Sequence, residues 1–71
     1  MPPKIRELKA QLRKAGFAVR RGKGSHTNWR HPLLPGVRIT IAGNDGDDAQ
    51  AYQEKDVAEA LEKLRGLRRQ P

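Results

Sequence analysis

The sequence predicts an α+β fold of order α-β-β-β-α, in which a three-stranded antiparallel sheet carries both helices on one face. Apolar residues recur at helical spacing near both ends of the chain, and the middle alternates apolar with polar residues. Each of these patterns has a single apolar side. Elements of that kind bury their apolar sides against one another, so the helices share one face of the sheet and the other face stays open.

The first helix, over about residues 3–15, places Ile5, Leu8, Leu12 and Ala15 in one stripe. Pro2 and Pro3 suit its first turn, and Gly16 suits the left-handed position just past its end. Its other sides carry Lys4, Arg6, Lys9, Arg13 and Lys14. The first strand, about 17–21, turns Phe17 and Val19 inward, and Gly22-Lys23-Gly24 supplies the hairpin connection. In the second strand, about 25–31, period two puts Thr27, Trp29 and His31 on one side and His26, Asn28 and Arg30 on the other. Trp29 is the largest apolar group in the chain, so its side faces the core and His26 shares the open face with Asn28 and Arg30.

Pro32 ends that strand, and Leu33-Leu34-Pro35-Gly36 leads to the third, about 37–41. There Val37, Ile39 and Ile41 point inward while Arg38 and Thr40 point out. Residues 42–51 contain Gly43-Asn44-Asp45-Gly46-Asp47-Asp48, a loop by composition. The last helix, about 54–67, aligns Val57, Leu61 and Leu64, sets Glu59 four residues before Lys63, and frays over Gly66 and the tail from Arg68 to Pro71.

Residues 1–71 read as one domain, small enough that a partner would add to its stability. With no cysteine, disulfides and thiolate metal sites are excluded. No apolar run approaches the roughly 20 residues of a membrane span, and the first residues lack the apolar stretch of a signal peptide, so the expectation is a cytoplasmic protein without membrane contact. The formal charge is +7. Residues 1–38 hold ten cations and one acid, Glu7, whereas residues 39–71 hold five cations and seven acids. The excess of positive charge therefore belongs to the half that contains His26, and it points to a polyanion, unless it only keeps a small domain soluble.

His26 is the main candidate for chemistry. Imidazole is the side chain that takes up and releases protons near neutrality, and Lys23, Arg30 and Arg38 would hold a phosphodiester beside it. In RNA, a base that deprotonates the 2′-OH lets that oxygen attack the adjacent phosphorus with no metal. The amides of Gly22-Lys23-Gly24 could also cup a phosphate oxygen. The competing reading is an exposed histidine with no role. His31 shares the side of Trp29 and reads as a structural residue at the edge of the core. Asp45, Asp47 and Asp48 lack the order of a calcium loop and read as turn and helix N-terminal charge, so no metal or cofactor is expected. Ser25, next to His26 in a strand, would face the opposite way, which argues against a serine nucleophile and leaves it a turn cap. Aromatic residues are too few for a base-stacking platform, so RNA binding would rest on phosphate contacts.

Lys4-Ile5-Arg6-Glu7-Leu8, Leu12-Arg13-Lys14-Ala15-Gly16-Phe17, Lys23-Gly24-Ser25-His26 and Arg30-His31-Pro32, in that order and spacing, resemble the HicA family of bacterial toxins. The resemblance covers about residues 4–41 and departs after Ile41, where the Asp-rich loop stands in place of a shorter, proline- or histidine-containing connection and a charged helix in place of one ending in an alanine-glycine unit. It implies a fold similar to double-stranded-RNA-binding domains. It also implies an mRNA interferase, an endoribonuclease that cleaves mRNA and is held inactive by a HicB-type antitoxin covering the catalytic histidine. The matching residue is His26, with Lys23, Gly24 and Ser25 completing the motif, and Arg30 and Arg38 join Lys23 as expected phosphate contacts. The alternative is a non-catalytic RNA-binding module of the same fold; a further alternative is a basic face that meets an acidic protein.

Overall fold

The computed structural model describes residues 1–69; Gln70 and Pro71, at the end of the expected frayed tail, lie outside them. The order is α1 (Ile5–Lys14), β1 (Ala18–Arg21), β2 (Thr27–His31), β3 (Leu34–Ile41) and α2 (Ala51–Arg69), with the strands antiparallel in the order β1-β2-β3. α1 buries Ile5, Leu8 and Leu12, the predicted stripe, against α2, and α2 packs on β3. From the sheet, Trp29, Ile39 and Ile41 close the core, and Trp29 and Ile41 lose all contact with solvent. Both helices therefore lie on the Trp29 face of the sheet.

Four details differ from expectation. Val19 pairs with Trp29 and so shares the core face, yet it is 45% exposed because β1 is the edge strand away from β3, on which α2 packs. The β2–β3 turn is the pair Pro32-Leu33, since His31 already pairs with Leu34; Pro35 and Gly36 sit inside β3 opposite an irregularity at Arg30. Proline is tolerated there because an edge strand has one side without a ladder to serve. α2 starts three residues early and runs unbroken through Gly66 and Arg68. Gln53, fully buried, is the reason for the early start. Its Oε1 accepts from the Gln50 backbone N–H at 2.8 Å, and its Nε2 donates to the Ala42 carbonyl at 2.9 Å, capping the helix and fastening it to the end of β3. On α2, the ion pair joins Glu62 to Arg65 instead of Glu59 to Lys63.

The Asp-rich loop serves the helix before it rather than the one after it. The carbonyls of Asp47 and Asp45 accept from the N–H groups of Ile5 and Arg6 at 2.9 and 3.2 Å, satisfying two of the free donors that begin α1. Lys4 is ion-paired to Asp48, and Lys9 to Asp45 at 2.8 Å. That Lys9 bond, with its charge and those of Arg13 and Arg6, holds the Asp45 carboxyl below the usual carboxylate range. A carboxyl depressed in the folded chain stabilises the fold above its ordinary pKa and loses that contribution as pH falls through the folded value. Lys9→Met is therefore expected to raise the Asp45 carboxyl titration followed by NMR, and Asp45→Asn to remove this part of the acid sensitivity of folding.

Gly16 fills its predicted role, with φ of +98° beyond the end of α1. A Cβ there would lie 3.2 Å from His31 Nε2, which bonds the Ala15 carbonyl at 3.1 Å. Gly16→Ala combines backbone strain with displacement of that ring, and is expected to lower stability by about 2 kcal/mol. In a thermal melt this reads as a drop in Tm of roughly 10 °C.

Candidate functional site

The hairpin between β1 and β2 is closed by the Gly22 N–H donating to the His26 carbonyl at 2.9 Å, so His26 sits one residue before β2 and belongs to the turn. The Lys23 carbonyl accepts both the backbone N–H and the ring Nδ1 of His26, each at 3.0 Å. A carbonyl oxygen only accepts, so Nδ1 carries the proton. In the neutral imidazole this leaves the lone pair on Nε2. The ring is solvent-exposed, with the tautomer and anchoring a proton acceptor requires.

His31 differs in every respect. It is 6% exposed, its Nδ1 accepts from the Leu33 N–H at 3.1 Å and its Nε2 donates to Ala15, while its ring meets Phe17 edge-on at 5.0 Å. Both nitrogens are occupied, which gives it the structural role read from the sequence.

The Gly22 amide is committed to the hairpin and cannot join a phosphate cup, contrary to expectation. The backbone N–H groups of Lys23, Gly24 and Ser25 have no acceptor among the described residues, and Gly24 has φ of +57°. Three successive free amides around a left-handed glycine are the kind of concavity that binds anions. The Ser25 hydroxyl accepts from the Gly43 N–H at 3.1 Å, bracing the turn against the end of β3.

Four of the expected site residues line two separate depressions, whereas His26 and Lys23 stand exposed on the turn and line neither. Arg30 and Arg38 line one on the open face of the sheet, together with Arg20 and Asn28. Gly24 and Ser25 line the other, with Lys9, Arg21 and Asn44. Arg20 joins this depression through strand register, which residue spacing does not reveal: Arg20 pairs with Asn28 and Asn28 with Thr40. A Cβ built on Gly22 would lie 3.4 Å from Asn28 Nδ2 and 3.5 Å from His26 Cβ, so the histidine and the open-face asparagine emerge on the same side of the hairpin. The Asp carboxylates are engaged elsewhere, with Asp47 accepting from the Asn44 N–H at 3.0 Å. Among the described residues no group of three His, Cys, Asp or Glu could hold a metal ion, and no helix is long and apolar enough to cross a membrane.

No curated protein and no solved structure matches the chain. The profile of the family described as HicA toxin of bacterial toxin-antitoxin matches residues 5–64, from the first residue of α1 past the Asp-rich loop and most of the way along α2. That span exceeds the part legible as a resemblance in the sequence and takes in the turn with its anchored histidine, and the chain belongs to the HicA family of toxins.

Proposed function

We propose that this toxin is a metal-independent endoribonuclease that cleaves mRNA in the cytoplasm, with His26 as its general base and acid and a HicB-type antitoxin as its partner. The observation that carries the reading is the hydrogen bond from His26 Nδ1 to the Lys23 carbonyl, which leaves Nε2 to accept a proton. His26 Nε2 takes the proton of a ribose 2′-OH, and the 2′ oxygen bonds to phosphorus as the bond to the 5′ oxygen breaks. The products are a 2′,3′-cyclic phosphate and a 5′-hydroxyl, whose proton returns from the imidazolium or from water. The imidazolium formed meanwhile keeps its bond to the carbonyl.

Lys23, Arg30 and Arg38 bind phosphates in this scheme, and the free amides of Gly24 and Ser25 add an anion cup. Cutting proceeds without a divalent ion because the attacking oxygen belongs to the substrate itself. An antitoxin that seats on the open face covers the arginines and His26 together.

The test is RNA cleavage by the purified toxin in EDTA, on substrates with and without a 2′-deoxy substitution at the cut nucleotide. Cleavage in EDTA that stops at the deoxy site, with a cyclic phosphate on the product, is the expected result. Scission that needs added divalent metal, or that continues at the deoxy nucleotide, overturns the mechanism. Salt-sensitive RNA binding with no cleavage under any condition would instead identify a non-catalytic binding module.

A further inference from the structure

We propose that Asn28 donates a hydrogen bond from its side-chain amide to a non-bridging oxygen of the phosphate that His26 acts on, with Thr40 as the residue that positions it. The assignment rests on the ribonuclease reading and adds a second protein group to it.

Asn28 lies in the middle strand, between Arg20 of β1 and Thr40 of β3. The Thr40 hydroxyl donates to Asn28 Oδ1 at 2.9 Å, which fixes the amide plane and turns the NH2 end away from Thr40. That end lies beside Gly22, whose missing side chain keeps open the gap between Asn28 Nδ2 and His26, each within 3.5 Å of the point a Cβ would occupy. Nδ2 has no acceptor among the described residues, although Asn28 is half-buried. No buried side-chain nitrogen lacks a partner among the described residues, so Nδ2 is open to solvent; anchored at its oxygen, the amide presents a donor to an external acceptor.

The neighbouring groups identify that acceptor as an anion. Arg20, Arg30 and Arg38 line the depression that Asn28 itself lines, next to the Gly22 gap, and draw in a polyanion, but their long side chains are poor at fixing an atom in place. Asn28 is short, neutral and braced. As the 2′ oxygen attacks, charge grows on the non-bridging oxygens, and a donor already aimed at them strengthens its bond in the transition state without reorganising.

The experiment compares wild type with Asn28→Ala, Asn28→Asp, Thr40→Val and Thr40→Ser, using single-turnover cleavage at saturating RNA and, separately, affinity for a 2′-deoxy oligonucleotide. Asn28→Ala and Asn28→Asp are expected to slow cleavage about 100-fold. Thr40→Val is expected to slow it about 10-fold, with Thr40→Ser near wild type and the affinity of Asn28→Ala for the deoxy oligonucleotide within about threefold of wild type. Wild-type rates in Asn28→Ala, or a loss matched by lost affinity, overturn the assignment.

A readout independent of turnover is the Asn28 side-chain amide signal in 15N NMR, titrated with the deoxy oligonucleotide. It is expected to shift, and an unmoved signal at saturation overturns the assignment. If the wild type cuts no RNA, the ribonuclease reading fails by itself, and this titration still decides whether Asn28 receives a phosphate.

Discussion

His26→Ala is expected to reduce the rate of RNA cleavage by about a thousandfold while leaving the fold intact. The magnitude follows from what the ring supplies: a lone pair on Nε2, held in place by the Nδ1 bond to the Lys23 carbonyl. The side chain is exposed and makes no contribution to the core, so its removal sacrifices one surface hydrogen bond. Single-turnover cleavage and a thermal melt check the two halves together. Equal cleavage by variant and wild type would remove His26 from the mechanism. A large drop in Tm would show that the turn supports the fold in a way the hydrogen bonds do not reveal.

Trp29→Ala has the opposite profile, loss of the fold itself. Trp29 is fully buried, its Nε1 donates to the Thr27 hydroxyl at 2.9 Å, that hydroxyl donates to the Ile41 carbonyl, and the Arg13 guanidinium lies 5.4 Å above the ring. Truncating a buried tryptophan removes about 3–5 kcal/mol, close to the whole stability that a core of this size provides. The variant is expected to show no cooperative thermal transition, and consequently no cleavage. Trp29→Phe keeps most of the ring and should retain a transition at lower temperature. A cooperative melt for Trp29→Ala near that of wild type would refute this account of the core.

The same tryptophan explains why so much of the architecture could be read from the sequence. Its size fixed which side of β2 is buried, and alternation then sent Asn28 and Arg30 outward, as observed. The α1 stripe and Gly16 were equally legible, because helical period and left-handed backbone are local properties. Pairing between distant segments left no such trace. Val19 has the pattern of a core residue and is exposed because β1 lies at the edge. Pro35 and Gly36 are turn residues by type but occupy an irregular edge strand. Gln53 escaped notice because a buried glutamine is recognisable only through its partners at Gln50 and Ala42. At the site, the Lys23-Gly24-Ser25-His26 motif was visible, while the carbonyl that orients the imidazole and the threonine that orients Asn28 depend on geometry that no residue spacing encodes.

The docking of the Asp-rich loop onto α1 also sets when the toxin can assemble. Lys4 meets Asp48 across 44 positions of the chain, and the Ala15 carbonyl at the other end of α1 receives Arg68 across 53. Until the loop is available, the first turn of α1 lacks two of its acceptors, and an isolated helix of 10 residues is marginal in water. During synthesis, then, α1 emerges first but becomes secure only after all three strands and the loop have followed it. The hairpin turn that carries His26 waits in the same way, because the Ser25 hydroxyl that braces it takes its bond from Gly43, on the far side of β3.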